Sequence, residues 1–252
     1  MFDSISIPTI LVSYVALLFS LSVHEASHAT AAYWLGDDTA ARLGRMTLNP
    51  LVHMDPLGTF LFPLLGMATG FPFIGWAKPV PVDPRNLTRR FPQRTGYAMV
   101  AGAGPASNLI LAGIFLALLL ILVKVAAPLP ALELRLFAHA LLARRVETLQ
   151  ALELGPAMTL VLALCGRLVL INIGLALFNL LPMGPLDGAG ILRGMLPWRL
   201  LPKFDRIQPW MGGLLIVLAL TGVLGIVIGP VFGVILTGIE FVAHLFLGAL
   251  FL

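Results

Sequence analysis

Two histidines and a glutamate within five residues, "HEASH", place His24, Glu25 and His28 in one short stretch. On a helix, residues four apart lie on one face, one above the other. Both imidazoles can then reach a single Zn2+ at about 2.0–2.1 Å per bond. Glu25 flanks that face and is placed to take a proton from water at the metal rather than to ligate it. A zinc site that does chemistry takes three protein ligands and keeps a fourth position open, so a third donor is needed. The alternative for so short a pattern is a solvated His–Glu helix face. The flanking residues weaken that alternative, because "SVHEASHATA" sits inside an apolar run. Ionisable groups at membrane depth are costly and tend to mark function.

The third donor is best sought in "NLLPMGPLDG", residues 179–188. Pro182, Gly184 and Pro185 break a helix there and leave backbone exposed at membrane depth, which needs a protein-lined cavity. Asp187 in this stretch is either the N-cap of the following "GAGILRGML" or a metal ligand. A His-Glu-x-x-His pattern in need of an oxygen donor favours the ligand. His53, in "VHMDP", is a further candidate ligand or gate, set against the plainer reading of a turn residue at the membrane surface.

The elements that must hold these residues are membrane spans. The 252 residues are 59% hydrophobic and 11% charged, against about a quarter charged in soluble domains. Mean hydropathy is +0.97. The chain reads as one all-α polytopic membrane domain, 1–252, with a core over about 8–190 and C-terminal spans over about 210–252. Five to six transmembrane helices are expected, plus a broken, re-entrant segment and short strand-like connections. Spans are expected from about Pro8 to Gly36, Gly96 to Val125 and Pro156 to Leu181, then about 210–228 and 231–252. Residues 128–155, with His139, suit an amphipathic interfacial helix. Cys165, the single cysteine, excludes a disulfide framework and reads as a buried, inert thiol. Gly102 and Gly104 read as sites of close helix approach. Glu240 and His244 are spaced to pair on one face of the last span, and Arg167 interrupts its own span.

A net charge of +4 does not point to nucleic acid here. Eleven of the sixteen Lys and Arg fall in loops 37–56, 78–95 and 182–210, the pattern of loops kept on the cytoplasmic side. The N-terminal tail then lies outside, and the motif lies nearer the cytoplasmic face. This works only if 57–77, broken by Pro63, Pro72 and several glycines, dips in and returns. The same topology brings Asp187 to the depth of His24 and His28. A full crossing by 57–77 would put them on opposite sides.

"HEASH" in the first span, "GAGPASN" opening a middle span and "NLLPMGPLDG" closing a later one together resemble the site-2 protease family of intramembrane zinc metalloproteases. "LNPLVHMDPLG" and "GWAKPVPVDP" are similar to connections in its compact bacterial members, which lack a PDZ domain. The resemblance covers roughly residues 10–190. It implies one Zn2+ per chain held by His24, His28 and Asp187, with Glu25 as the base. It implies that Asn179 helps to hold substrate or the oxyanion. Asn108 is a weaker candidate for that role and looks more structural. The expected activity is hydrolysis of a peptide bond in or near a transmembrane segment of another membrane protein, in a bacterial or archaeal cell membrane. "RMTL" and "KPVPV" have strand-like character, and an exposed edge there could capture unwound substrate by β-addition, limited by Pro79 and Pro81. A non-enzymatic membrane metal-binding protein or transporter is the competing reading. A transporter would spread ionisable residues over several spans.

Overall fold

Long apolar runs without a polar face can satisfy their backbone in lipid only as helices. In the computed structural model, which describes residues 7–69, 75–87, 91–126 and 155–248, these runs are helical. α1 covers Ile7–Leu35. Its hydroxyls do not face lipid unsatisfied: Ser20, Ser22, Ser27 and Thr30 each donate to the carbonyl one turn back, at 2.7–2.8 Å. α1 stops at Gly36, whose φ of 108° is a conformation glycine adopts readily.

Short turns follow: α2 (Thr39–Arg42), α3 (Pro50–His53), a wide π-helical turn at Pro56–Leu61 running into α4 (Phe62–Thr69), and a 3-10 turn at Pro84–Asn86. Three of these start with the same device. Asn49-Pro50, Asp55-Pro56 and Asp83-Pro84 each put an Asx side chain on the freed backbone N–H groups and a proline at the first position, where no N–H is needed.

The broken segment leaves and comes back. Trp76 donates its backbone N–H to Gly58 at 3.1 Å, and Thr59 donates its hydroxyl to the Trp76 carbonyl at 2.7 Å. A Cβ on Gly58 would lie 2.4 Å from the Trp76 indole, so only glycine allows this closure. The helical part, residues 56–69, reaches about 21 Å at 1.5 Å per residue, short of the ~30 Å hydrocarbon thickness.

The returning chain, residues 75–83, takes no regular structure and meets residues 45–53 at Lys78 and Pro79. No β-ladder forms among the described residues, so the strand-like expectation for "RMTL" and "KPVPV" is corrected. Side chains hold these segments instead. The buried Arg45 donates to the carbonyls of Val52, Lys78 and Pro79, with one backbone bond from Lys78 to His53. Prolines 79 and 81 lack the N–H groups a ladder would need. Buried Asp37 fastens the other end, accepting from Thr39, from the Asp83 amide and from Asn86.

α5 (Gln93–Ala126) and α6 (Pro156–Asn179) pack on α1. Ser20 of α1 meets Asn172 of α6, and both chains then converge on the same end, at His24, His28 and Asp187. α1 and α6 therefore run parallel. α5 is antiparallel, since its Val100 meets His28 while its later Asn108 meets His24. α7 (Asp187–Met195) lies along α5 through small residues: Gly190 on Ala101 and Gly194 on Ala98. Arg94 donates to the Arg193, Gly194 and Leu196 carbonyls at the end of α7.

α8 (Leu201–Leu220) and α9 (Val223–Gly248) are the last helices among the described residues. α9 touches the core through Phe232, Ile235 and Ile239, against Ala112, Val169 and Ile173. Cys165 is buried among Leu119, Val123 and Leu162. Four helices among the described residues, α1, α5, α6 and α9, are long and apolar enough to cross a bilayer, fewer than the five to six expected. The 20-residue α8 carries Lys203, Asp205 and Arg206 in its first half. The helix expected over 128–155, His139 and the His244 side chain lie outside what is described.

Candidate metal centre

α1 sets His24 and His28 one turn apart, with ring centroids 4.7 Å from one another. Their Nε2 atoms are 3.1 Å apart. Asp187 completes the group, with Oδ2 3.1 Å from Nε2 of His24 and Oδ1 3.4 Å from Nε2 of His28. Ligand atoms around a tetrahedral zinc with bonds of about 2.0–2.1 Å sit roughly 3.3 Å from one another. Among the described residues this is the group of three able to hold a metal ion.

Local chemistry aims each side chain. α6 ends at Asn179, and a tight turn brings the chain round, with Met183 donating to Leu181 and Leu186 to Met183. α7 then begins at Asp187 itself, with Leu186 at the cap position and no side-chain cap. Asp187 is therefore not an N-cap, and its side chain turns to the histidines. Gly188 must be glycine, because a Cβ there would lie 2.2 Å from the Leu181 carbonyl. Across the site, a Cβ on Gly104 would lie 2.4 Å from Nε2 of His28 and 2.6 Å from Cε1 of His24. The imidazole pair, rather than a neighbouring backbone, is what needs that space. Gly102 has nothing nearer than Ile191, at 4.0 Å.

Three features make the group fit zinc. The donor set is two imidazoles and a carboxylate. Oδ2 of Asp187 is buried without a hydrogen-bond donor. The His28 ring faces the Val100 carbonyl through Nδ1, at 2.7 Å. A carbonyl only accepts, so Nδ1 carries the proton and Nε2 offers its lone pair to the centre. Both histidines are nearly sealed, whereas the Asp187 side chain is 20% exposed. The site therefore opens on the aspartate's side.

Family comparison decides the class. The sequence profile of peptidase family M50 matches residues 12–221, which include the whole His24, His28 and Asp187 group. The chain belongs to peptidase family M50. Two similar proteins carry the name "Putative zinc metalloprotease". YwhC of Bacillus subtilis (strain 168) is 35% identical over 196 residues, covering 78% of this chain and 74% of its own. Rip2 of Mycolicibacterium smegmatis is 37% identical over 102 residues, covering 40% and 37%. No solved structure matches the chain.

The remaining candidates fall in different places of the M50 fold. Glu25 is buried beside His24, about 60° round the helix from His28 by the 100° step per residue. Asn179 is half-buried and donates to the Leu175 carbonyl one turn back at 3.0 Å. Asn108 is fully buried behind His24, 2.6 Å from Nδ1, so it faces the ligand's back rather than a substrate. His53 is 2% exposed and donates through Nε2 to the Thr47 carbonyl at 2.8 Å. It lies under the Arg45 loops, outside the metal group. The sequence reading overlooked Asn172, fully buried between Asn108 and Ser20. Its signal was present: an amide inside an apolar span, the kind of group that must find a partner there.

Proposed function

We propose that this M50 chain is an intramembrane zinc metalloprotease that hydrolyses a peptide bond in or near a transmembrane segment of another membrane protein. The observation that carries the reading is the convergence of His24 and His28 from α1 with Asp187 from the start of α7, the donor set of a zinc ion with an open position. Zinc bound there supplies a water of lowered pKa and polarises the scissile carbonyl. Glu25 takes the proton from the attacking water and passes it to the leaving amine nitrogen. α1 and α5 exclude bulk water from the histidine side, and substrate approaches past Asp187. A helical substrate hides its own amides and unwinds before it reaches the centre. With the basic loops on the inner side, the N-terminus faces outward and the centre lies nearer the cytoplasm.

The test is zinc content and cleavage of a transmembrane substrate peptide in detergent micelles, for the wild type, Glu25→Gln and Asp187→Ala. Glu25→Gln is expected to keep one zinc per chain and lose cleavage, and Asp187→Ala to lose both. Full zinc content in Asp187→Ala removes the carboxylate from the ligand set. Metal movement across vesicles that survives Glu25→Gln would favour a transporter instead.

A further inference from the structure

His28 and His24 reach the same protonation pattern by different routes. For His28 a single backbone carbonyl does it, as described. For His24 the partner is an amide side chain, which can present either oxygen or NH2, so the partner alone decides nothing. The decision is made farther away. Asn172 places its Nδ2 2.8 Å from the Leu168 carbonyl and 2.8 Å from Oγ of Ser20. Ser20 gives its own proton to the Ala16 carbonyl at 2.8 Å. The Leu168 carbonyl can only accept, so the group facing it must be the NH2. Its second hydrogen goes to the Ser20 lone pair. Oδ1 of Asn172 is thus left to face Asn108, whose Nδ2 lies 2.7 Å away. Oδ1 of Asn108 then faces Nδ1 of His24, which must carry the ring proton. Nε2 is left bare and aimed at Asp187 and His28.

We infer that Asn172 and Asn108 are positioning residues for the metal centre: a one-way hydrogen-bond relay, started by the Leu168 carbonyl of α6, fixes the ring tautomer of His24. The inference rests on the zinc reading above. Ser20, Asn108 and Asn172 are fully buried, so no water competes at any joint. Reversing either amide would set oxygen against oxygen or N–H against N–H in a dry interior, where an unmade hydrogen bond is most costly. Substituting Asn172 by an apolar residue frees Asn108 to turn its NH2 to Nδ1. That stabilises the tautomer with a hydrogen on Nε2, which cannot ligate.

The experiment is zinc affinity by competition with a chelating indicator, with melting temperature recorded on the same samples, in detergent. Asn172→Leu is expected to weaken zinc binding ~10–100-fold, the range seen for groups that orient metal ligands. Asn172→Asp keeps an acceptor facing Asn108, so it is expected to melt lower yet bind zinc within a few-fold of wild type. Wild-type affinity in Asn172→Leu overturns the relay, as does an equal loss in both variants that follows melting temperature. Should Asn172→Leu fail to fold, nitrogen NMR of metal-free wild-type protein at alkaline pH reads the His24 tautomer directly. A proton on Nδ1 supports the relay, and one on Nε2 overturns it. His24→Ala serves as the control: unchanged zinc binding there would remove the zinc reading itself, and the relay with it.

Discussion

At the residue scale the two glycines of "GAG" make the sharpest contrast. Both were read from sequence as points of close helix approach, because nothing in the string distinguishes them. Gly104 lies under both imidazoles, while Gly102 has free space around it. Gly104→Ala is therefore expected to lower zinc affinity at least about tenfold, although alanine is the better helix former. Gly102→Ala is expected to leave zinc binding unchanged and to raise stability by about 0.5–1 kcal/mol. Zinc titration and thermal melts of the two variants check both, and equal behaviour would refute the cradle. The histidine pair was legible because its spacing is the helix repeat itself. Asp187 was less so, since cap and ligand differ only in whether the helix begins at the aspartate or after it. Asn172 was missed because it belongs to no short motif within its 24-residue helix, and its partners Ser20 and Asn108 are remote in sequence.

At the element scale the site depends on how closely α7 lies against α5. Asp187 is the first residue of α7, so any shift of that helix moves the carboxylate. A Cβ on Gly194 would meet that of Ala98 at 2.4 Å. Gly194→Ala is expected to cost about 1–3 kcal/mol by overpacking and to weaken zinc binding. Ala98→Gly in the same chain is expected to restore both, since the two positions share one contact. Melting curves and zinc titrations of the single and double variants check this, and additive losses would refute it. The return of 57–77 was legible from its prolines and glycines. The missing ladder was not, because extended character in "KPVPV" says how the chain runs but not what it pairs with, and a buried arginine took the carbonyls instead.

At the scale of the whole molecule the parallel course of α1 and α6 is the feature on which charge counting and the metal site agreed beforehand. The loops that close this arrangement are fastened at Asp37. Burial alone would raise its pKa, but hydrogen bonds from Thr39, Asn86 and Asp83 outweigh burial and hold the carboxyl below its usual range. A carboxyl with a lowered folded pKa stabilises fully above its unfolded value of about 3.9, and that contribution is lost as pH falls through the lower folded value. Asp37→Asn is expected to melt below wild type at neutral pH, with the gap closing below about pH 4. Melts between pH 3 and 7 check this, and a constant gap would refute it. Of the three residues that could hold the metal, two come from the opening helix α1 and one is the first residue of α7. A ribosome that has not yet delivered residue 187 holds a nascent chain with imidazoles but no carboxylate. On the proposed zinc reading, a product released before that residue is expected to hold no zinc at this centre and to cut nothing.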